Sequence, residues 1–172
     1  MFKRLPPFSD IVSVYSVVAS MLFAWSILQF FWYLPSWLYF MRLADLIGVF
    51  SYIMVSSFIE GLAFLSLLLL LSFLPPQKYF RDEFAVYGTS ISLCVIGLIM
   101  ARVVLSNIFE MAIPYFKTLL ILSPIIVSFL AIVIRPVRQA LLWLSDRLIV
   151  FLYLLVPLSV LSLLVIVVRN IF

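Results

Sequence analysis

The stretch LIVFLYLLVPLSVLSLLVIVV, from Leu148 to Val168, decides the fold class of this chain. It carries no charged residue, and a helix of this length crosses a hydrocarbon core of about 30 Å. A soluble domain of 172 residues cannot bury several such stretches, because small domains keep a high ratio of surface to volume. The stretch is therefore predicted to be a transmembrane helix.

The whole chain has the composition of a membrane protein. Hydrophobic residues make up 67% of it and charged residues 10%, whereas soluble domains are about half apolar and about a quarter charged. The net charge is +4, but the basic residues stand singly or in pairs at the ends of apolar runs. This distribution predicts contact with anionic lipid headgroups and argues against binding to nucleic acid.

Four further stretches meet the requirement of about 20 mostly apolar residues for crossing a bilayer. We therefore predict an all-α integral membrane protein, a single-domain bundle of about five transmembrane helices with short loops. The predicted spans cover residues 11–34, 46–74, 84–105, 111–134 and 148–168. Lys3 and Arg4 precede the first span, but no small-residue cleavage site follows it, so we expect it to remain as a helix.

The residue types present exclude several chemistries. The chain contains no histidine, which rules out a histidine-based catalytic triad, histidine-ligated haem and most zinc sites. The single cysteine, Cys94, cannot form an intrachain disulfide or hold an iron–sulfur cluster alone. No glycine-rich phosphate loop and no nucleophile beside a base occurs. The sequence thus predicts no cofactor and no metal site, and it favours a non-enzymatic role.

The basic side chains are distributed unevenly between the two predicted sides of the membrane. One side carries Lys3, Arg4, Lys78, Arg81, Arg135, Arg138 and Arg147. The other carries Arg42, Arg102, Lys117 and Arg169. Because cytoplasmic loops hold an excess of Lys and Arg, the N-terminus is predicted to be cytoplasmic and, with five spans, the C-terminus outside. The absence of transit-like features favours the cell (inner) membrane of a prokaryote.

Small residues recur at helical spacing on two of the predicted helices. Small faces let helix backbones approach closely in lipid, and hydroxyl groups bond across the contact. We therefore predict that both stripes pack against other helices, with a hydroxyl-lined path for ions as the alternative. The first helix presents Ser9, Ser13, Ser16, Ser20 and Ala24, and the third presents Ser90, Cys94, Gly97 and Ala101.

The second predicted span has a polar face formed by Asp45, Gly48, Tyr52, Ser56 and Glu60, spaced three or four residues apart. Glu60 lies near the middle of the span, where an ionised carboxylate costs on the order of 3 kcal/mol. We therefore expect Glu60 to face protein or a polar cavity. It either locks this helix to a neighbour, in this chain or another, or it handles protons or cations.

Arg102, Ser106 and Glu110 are four residues apart and share one helical face. They are typical of a helix end that leaves the membrane and lies in the interface. Alternatively, Arg102 is the partner of Glu60 or Asp45. The candidate intramembrane polar site therefore comprises Glu60, Ser56, Tyr52, Asp45, Arg102 and Glu110.

Three arginines, Arg135, Arg138 and Arg147, lie just before the last predicted span. Pro136 suits the first turn of a short, partly amphipathic surface helix. Because they fall on the predicted cytoplasmic side, we expect the three side chains to contact anionic headgroups. A docking surface for a soluble partner is the alternative.

The sequence supports three hypotheses about function. The leading one is a non-catalytic, multi-pass subunit that packs against and stabilises other integral membrane subunits of a larger complex. The second is a small transporter or a component that conducts protons or cations through the mid-membrane residue Glu60. The third is the membrane half of a lipid-processing enzyme whose catalytic residues lie on another chain.

Overall fold

The computed structural model describes residues 6–72, 83–104, 126 and 134–171. The described part folds into four α-helices, each long and apolar enough to cross a membrane: α1 Phe8–Trp37, α2 Leu43–Leu71, α3 Phe84–Val104 and α4 Arg135–Ile171. The predicted all-α membrane fold class is confirmed, and four of the five predicted spans fall on these helices. Most of the remaining predicted span, 111–134, lies outside the described residues.

The first helix continues through Pro35, beyond the predicted end of the span at residue 34, and ends at Trp37. A proline inside a helix removes one backbone hydrogen bond and crowds the carbonyl group four residues earlier. Aromatic contacts hold this last turn in place. The ring of Trp37 lies 5.8 Å from Phe30, edge to face, and is stacked at 5.8 Å on Tyr33. Aromatic rings at a helix end suit the level of the lipid headgroups.

The last helix is longer than the predicted span 148–168. The stretch 135–147, expected to form a separate surface helix, is the beginning of the continuous helix α4, which has 37 residues. At a rise of about 1.5 Å per residue, α4 is about 55 Å long and exceeds a hydrocarbon core of about 30 Å. Pro136 occupies its first turn, where no backbone N–H is needed, so nothing in this stretch stops the helix.

Helix α1 lies at the centre of the described bundle and packs against each of the other three helices. Its residues Val14, Val17, Val18 and Phe23 are almost completely buried. Val14 and Val18 join Leu68 of α2 and residues of α3 in one apolar cluster, and Phe23 joins α2 and α4 in another. The core of the described bundle is thus formed by apolar side chains of α1 packed against the three other helices.

Contacts between the helices fix their directions. The first end of the bundle, where α1 begins, also holds the starts of α3 and α4, since Arg138 pairs with Glu83 and Ser16 bonds to Ser145. The second end holds the start of α2 and the end of α4, which are joined by the ion pair between Asp45 and Arg169. Helices α1, α3 and α4 therefore run parallel, and α2 runs antiparallel to them.

Candidate functional site

The polar face of α2 reaches from the second end of the bundle to its middle. Asp45 lies in the first turn of α2, where a negative charge favourably meets the positive end of the helix dipole. Glu60 lies one turn beyond Ser57, whose hydroxyl oxygen is 2.6 Å from that of Ser26 on α1. This level is close to the middle of both helices. Glu60 therefore lies near the middle of α2, far from both of its ends.

The Glu60 side chain lies on the outer surface of α2 and is exposed. Its Oε1 atom accepts a hydrogen bond from the hydroxyl of Ser56, one turn earlier, at 2.8 Å. Ser56 and Tyr52 are exposed on the same side of the helix. We call this surface, formed by Tyr52, Ser56 and Glu60, the Glu60 face. It points away from α1 rather than into the described bundle.

Asp45 forms an ion pair with Arg169 from the last turn of α4, with 2.8 Å between Oδ1 and Nη2. Gly48 makes room for this pair, because a Cβ atom at position 48 would collide with the guanidinium group of Arg169. The neighbouring residue Asn170 donates from Nδ2 to the hydroxyl oxygen of Tyr52 at 3.3 Å. Two polar contacts therefore tie the end of α4 to the start of α2.

An open cleft of about 550 Å³ lies over these contacts at the second end of the bundle. Its walls combine a charged pair, an amide and a phenol with two apolar side chains. The lining residues are Met41, Asp45, Val49, Tyr52, Arg169 and Asn170.

Sequence reasoning proposed Arg102 as a partner of Glu60 or Asp45. The structure gives Asp45 a different partner, Arg169, and leaves Arg102 exposed at the end of α3. The remaining member of the predicted site, Glu110, lies outside the described residues. The sequence already assigned Arg169 and Arg42, which precedes α2, to the same side of the membrane. This assignment could have identified Arg169 as the partner of Asp45.

The predicted packing stripe of α1 is divided between the inside and the outside of the bundle. Ser13 and Ser16 are buried, Ser20 is half-buried, and Ser9 and Ala24 are exposed. The Ser16 hydroxyl lies 2.7 Å from the carbonyl oxygen of Ser13 and 3.1 Å from that of Ser145 on α4. Ser16 and Ser145 are fully buried, and their small side chains allow α1 and α4 to approach closely at this point.

The predicted stripe of α3 shows the same division. Ser90 is buried, whereas Cys94, Gly97 and Ala101 are half-buried. Nothing lies within 4 Å of the position that a Cβ atom would take at Gly97. Another glycine, Gly88, makes the close contact of this helix: a Cβ atom there would lie 2.7 Å from a methyl carbon of Val14. Sequence spacing favoured Gly97 because it could not show which face of α3 meets α1.

The three arginines expected at the headgroups are exposed. Arg135 and Arg138 lie in the first turn of α4 at the first end of the bundle, whereas Arg147 lies farther along α4, just beyond Ser145, which contacts Ser16. Arg138 pairs with Glu83, which precedes α3, at 2.9 Å. The guanidinium carbon of Arg147 lies 5.6 Å from the ring centre of Trp143, one turn earlier. Such cation–π contacts suit a side chain at the membrane interface. Arg135 begins α4 and is exposed.

The buried polar residues in the described helices are serines and one threonine. Most of the serine hydroxyls donate to the carbonyl of the residue three or four positions earlier, as Ser51, Ser92 and Ser159 do. Ser57 also donates to Ile53, so Ser26 is the donor in the bond between Ser26 and Ser57. These hydroxyls are largely satisfied by their own helices, and the described interior carries no charged residue.

Searches with protein-family models, among curated proteins and among solved structures find no match to this chain.

Proposed function

We propose that this chain is a non-catalytic, multi-pass subunit of a larger membrane complex, which packs against other integral membrane subunits and stabilises them. The Glu60 face is the surface that meets a partner. A partner helix with an uncharged polar side chain at the same level would satisfy the carboxyl group. The chain itself supplies the framework that presents this face.

The exposure of Glu60 near the middle of the membrane-length helix α2 is the observation that carries this proposal. An ionised carboxylate in contact with acyl chains costs on the order of 3 kcal/mol on insertion scales. The hydrogen bond from Ser56 satisfies only part of one carboxyl group, since a carboxylate accepts up to about four bonds. Contact with a polar side chain of another subunit removes this cost, whereas lipid does not.

Conduction of protons or cations uses the same residue and is the second candidate. A path through the middle of this chain would need ionisable groups between the helices. The described interior instead holds apolar side chains and hydroxyl groups bonded largely to their own backbones. The position of Glu60 on the outside therefore favours a role at a subunit interface over a path within the described bundle.

We further propose that the chain lies in the cell (inner) membrane of a prokaryote, with its first end in the cytoplasm. This orientation rests on the excess of Lys and Arg that the sequence assigns to the cytoplasmic side. Among the described residues, Arg135 and Arg138 lie at the first end, and Arg42, Arg102 and Arg169 lie at the second. Arg135 and Arg147, on the outer surface of α4, contact anionic headgroups, and Arg138 does so beside Glu83.

The size of the native complex tests the subunit role. The full-length chain is produced in its own host, extracted in mild detergent and separated by native electrophoresis. We expect Ser56→Leu to convert a large complex into a smaller species, because the added side chain obstructs the Glu60 face. The matched control is Ser66→Leu, since Ser66 is an exposed serine of α2 on another side of the helix.

Glu60→Gln separates the two candidate functions. The amide keeps the volume and hydrogen bonding of the side chain but cannot carry a proton or neutralise a cation. A structural contact predicts that Glu60→Gln preserves both the complex and the activity of the host complex. Conduction predicts normal assembly with loss of transport. A complex of unchanged size with Ser56→Leu contradicts the subunit proposal.

A further inference from the structure

The cleft at the second end of the bundle shares Tyr52 with the Glu60 face. It differs from that face because it contains an ion pair and lies at the helix ends rather than near the middle of α2. Its charged residues, Asp45 and Arg169, lie in the first turn of α2 and the last turn of α4. Helix ends of this kind lie where a transmembrane helix leaves the hydrocarbon core, at the level of lipid headgroups. The apolar wall formed by Met41 and Val49 adjoins this charged pair.

The ion pair retains bonding capacity towards the cleft. The Asp45 and Arg169 side chains are each 45% exposed, and their contact uses one carboxylate oxygen and one guanidinium nitrogen. A guanidinium group has about five N–H donors, and a carboxylate accepts through two oxygens. Both side chains can therefore keep their mutual contact and still bind a ligand, one through donors and the other through acceptors.

The balance of charge in the cleft selects the class of ligand. An anion approaching Arg169 meets the negative charge of Asp45 in the same cleft, and a cation approaching Asp45 meets the positive charge of Arg169. A ligand that carries both charges satisfies both residues. Asn170 adds an amide that already contacts Tyr52 and has a second N–H to donate.

We propose that this cleft binds the headgroup of a zwitterionic phospholipid with a primary ammonium group, namely phosphatidylethanolamine. The phosphate accepts hydrogen bonds from the guanidinium of Arg169 and the amide of Asn170. The ammonium donates to the carboxylate of Asp45. Met41 and Val49 lie beside the glycerol and the first carbons of the acyl chains.

Native mass spectrometry of the full-length chain in detergent tests this proposal. The protein receives equal amounts of phosphatidylethanolamine and phosphatidylglycerol with identical acyl chains, and each lipid adduct is counted. We expect Arg169→Gln and Asp45→Asn each to lower the phosphatidylethanolamine adduct about fivefold while leaving the phosphatidylglycerol adduct unchanged. The matched controls are Arg138→Gln and Glu83→Gln, which remove the ion pair at the opposite end and leave the phosphatidylethanolamine adduct intact.

A third variant retains every charged residue and tests whether a smaller phosphatidylethanolamine adduct could result from misfolding. Gly48→Ala displaces the guanidinium of Arg169 and should also lower the phosphatidylethanolamine adduct, with unchanged helical circular dichroism. The proposal is overturned if Arg169→Gln, Asp45→Asn and Gly48→Ala retain the phosphatidylethanolamine adduct of the unmodified chain. The proposal is also overturned if Arg169→Gln lowers the phosphatidylglycerol adduct as much as the phosphatidylethanolamine adduct, since the cleft would then bind anionic lipid.

Discussion

At the scale of single residues, small side chains decide how closely the helices approach. Helical spacing in the sequence identified which small residues share a face, and two of them, Ser13 and Ser16, are buried in the described bundle. Spacing could not show where the stripe stops facing a neighbour, so the stripe included Ser9 and Ala24, which are exposed. Helix faces follow from a period of about 3.6 residues, whereas contacts depend on how the helices cross.

Two glycines of α3 provide a matched comparison of this effect. Gly88→Ala should destabilise the chain by about 1 to 3 kcal/mol, because the new methyl group would press on the branched side chain of Val14. Gly97→Ala should be neutral or stabilising, because nothing lies within 4 Å of the added atom and alanine favours the helix. Thermal unfolding in detergent compares the two variants. Equal melting temperatures would contradict the close contact at Gly88.

At the scale of the helices, the sequence predicted the existence of α1, α2 and α3 and most of their extent. It divided α4 into a surface segment, 135–147, and a span, 148–168, because Arg138, Asp146 and Arg147 suggested a boundary. Charged side chains do not stop a helix when they are exposed at the interface, where they reach water and headgroups. The partner of Asp45 was also missed, because Arg169 is 124 residues distant in sequence.

The contact between α1 and α4 gives a prediction at this scale. Ser16→Leu should separate the two helices and destabilise the chain by about 1 to 3 kcal/mol, because Ser16 and Ser145 are both fully buried there. Ser9→Leu is the control, since Ser9 is exposed on the same helix. Chemical unfolding in micelles, followed by tryptophan fluorescence, measures both variants. A Ser16→Leu protein as stable as the control would show that α1 and α4 are not in contact at this level.

At the scale of the whole molecule, the parallel directions of α3 and α4 give the bundle two distinct ends. Arg135 and Arg138 lie at the first end, and Arg42, Arg102 and Arg169 lie at the second. The polar face that includes Glu60 was predictable from spacing. Its position on the outer surface was not, because a polar face indicates a covered side without showing which molecule covers it.

Because α1 and α4 are parallel, we expect the two ends of the chain to lie on opposite sides of the membrane. Phe2→Cys and Phe172→Cys, each made in a Cys94→Ala background, are labelled in sealed membrane vesicles with a reagent that does not cross the bilayer. We expect the two cysteines to react from opposite sides, position 2 from the cytoplasmic one. Reaction of both from the same side would contradict the parallel arrangement of α1 and α4.

The central claim is that another subunit covers the Glu60 face, and cross-linking in intact membranes tests it most directly. A photoreactive amino acid is placed at position 56 on this face and, for comparison, at position 66 on another side of α2. We expect position 56 to form a covalent adduct with a second polypeptide, and this adduct is larger than the chain alone. Position 66 should form much less of such an adduct. Lipid adducts alone at position 56, with none to protein, would contradict the claim.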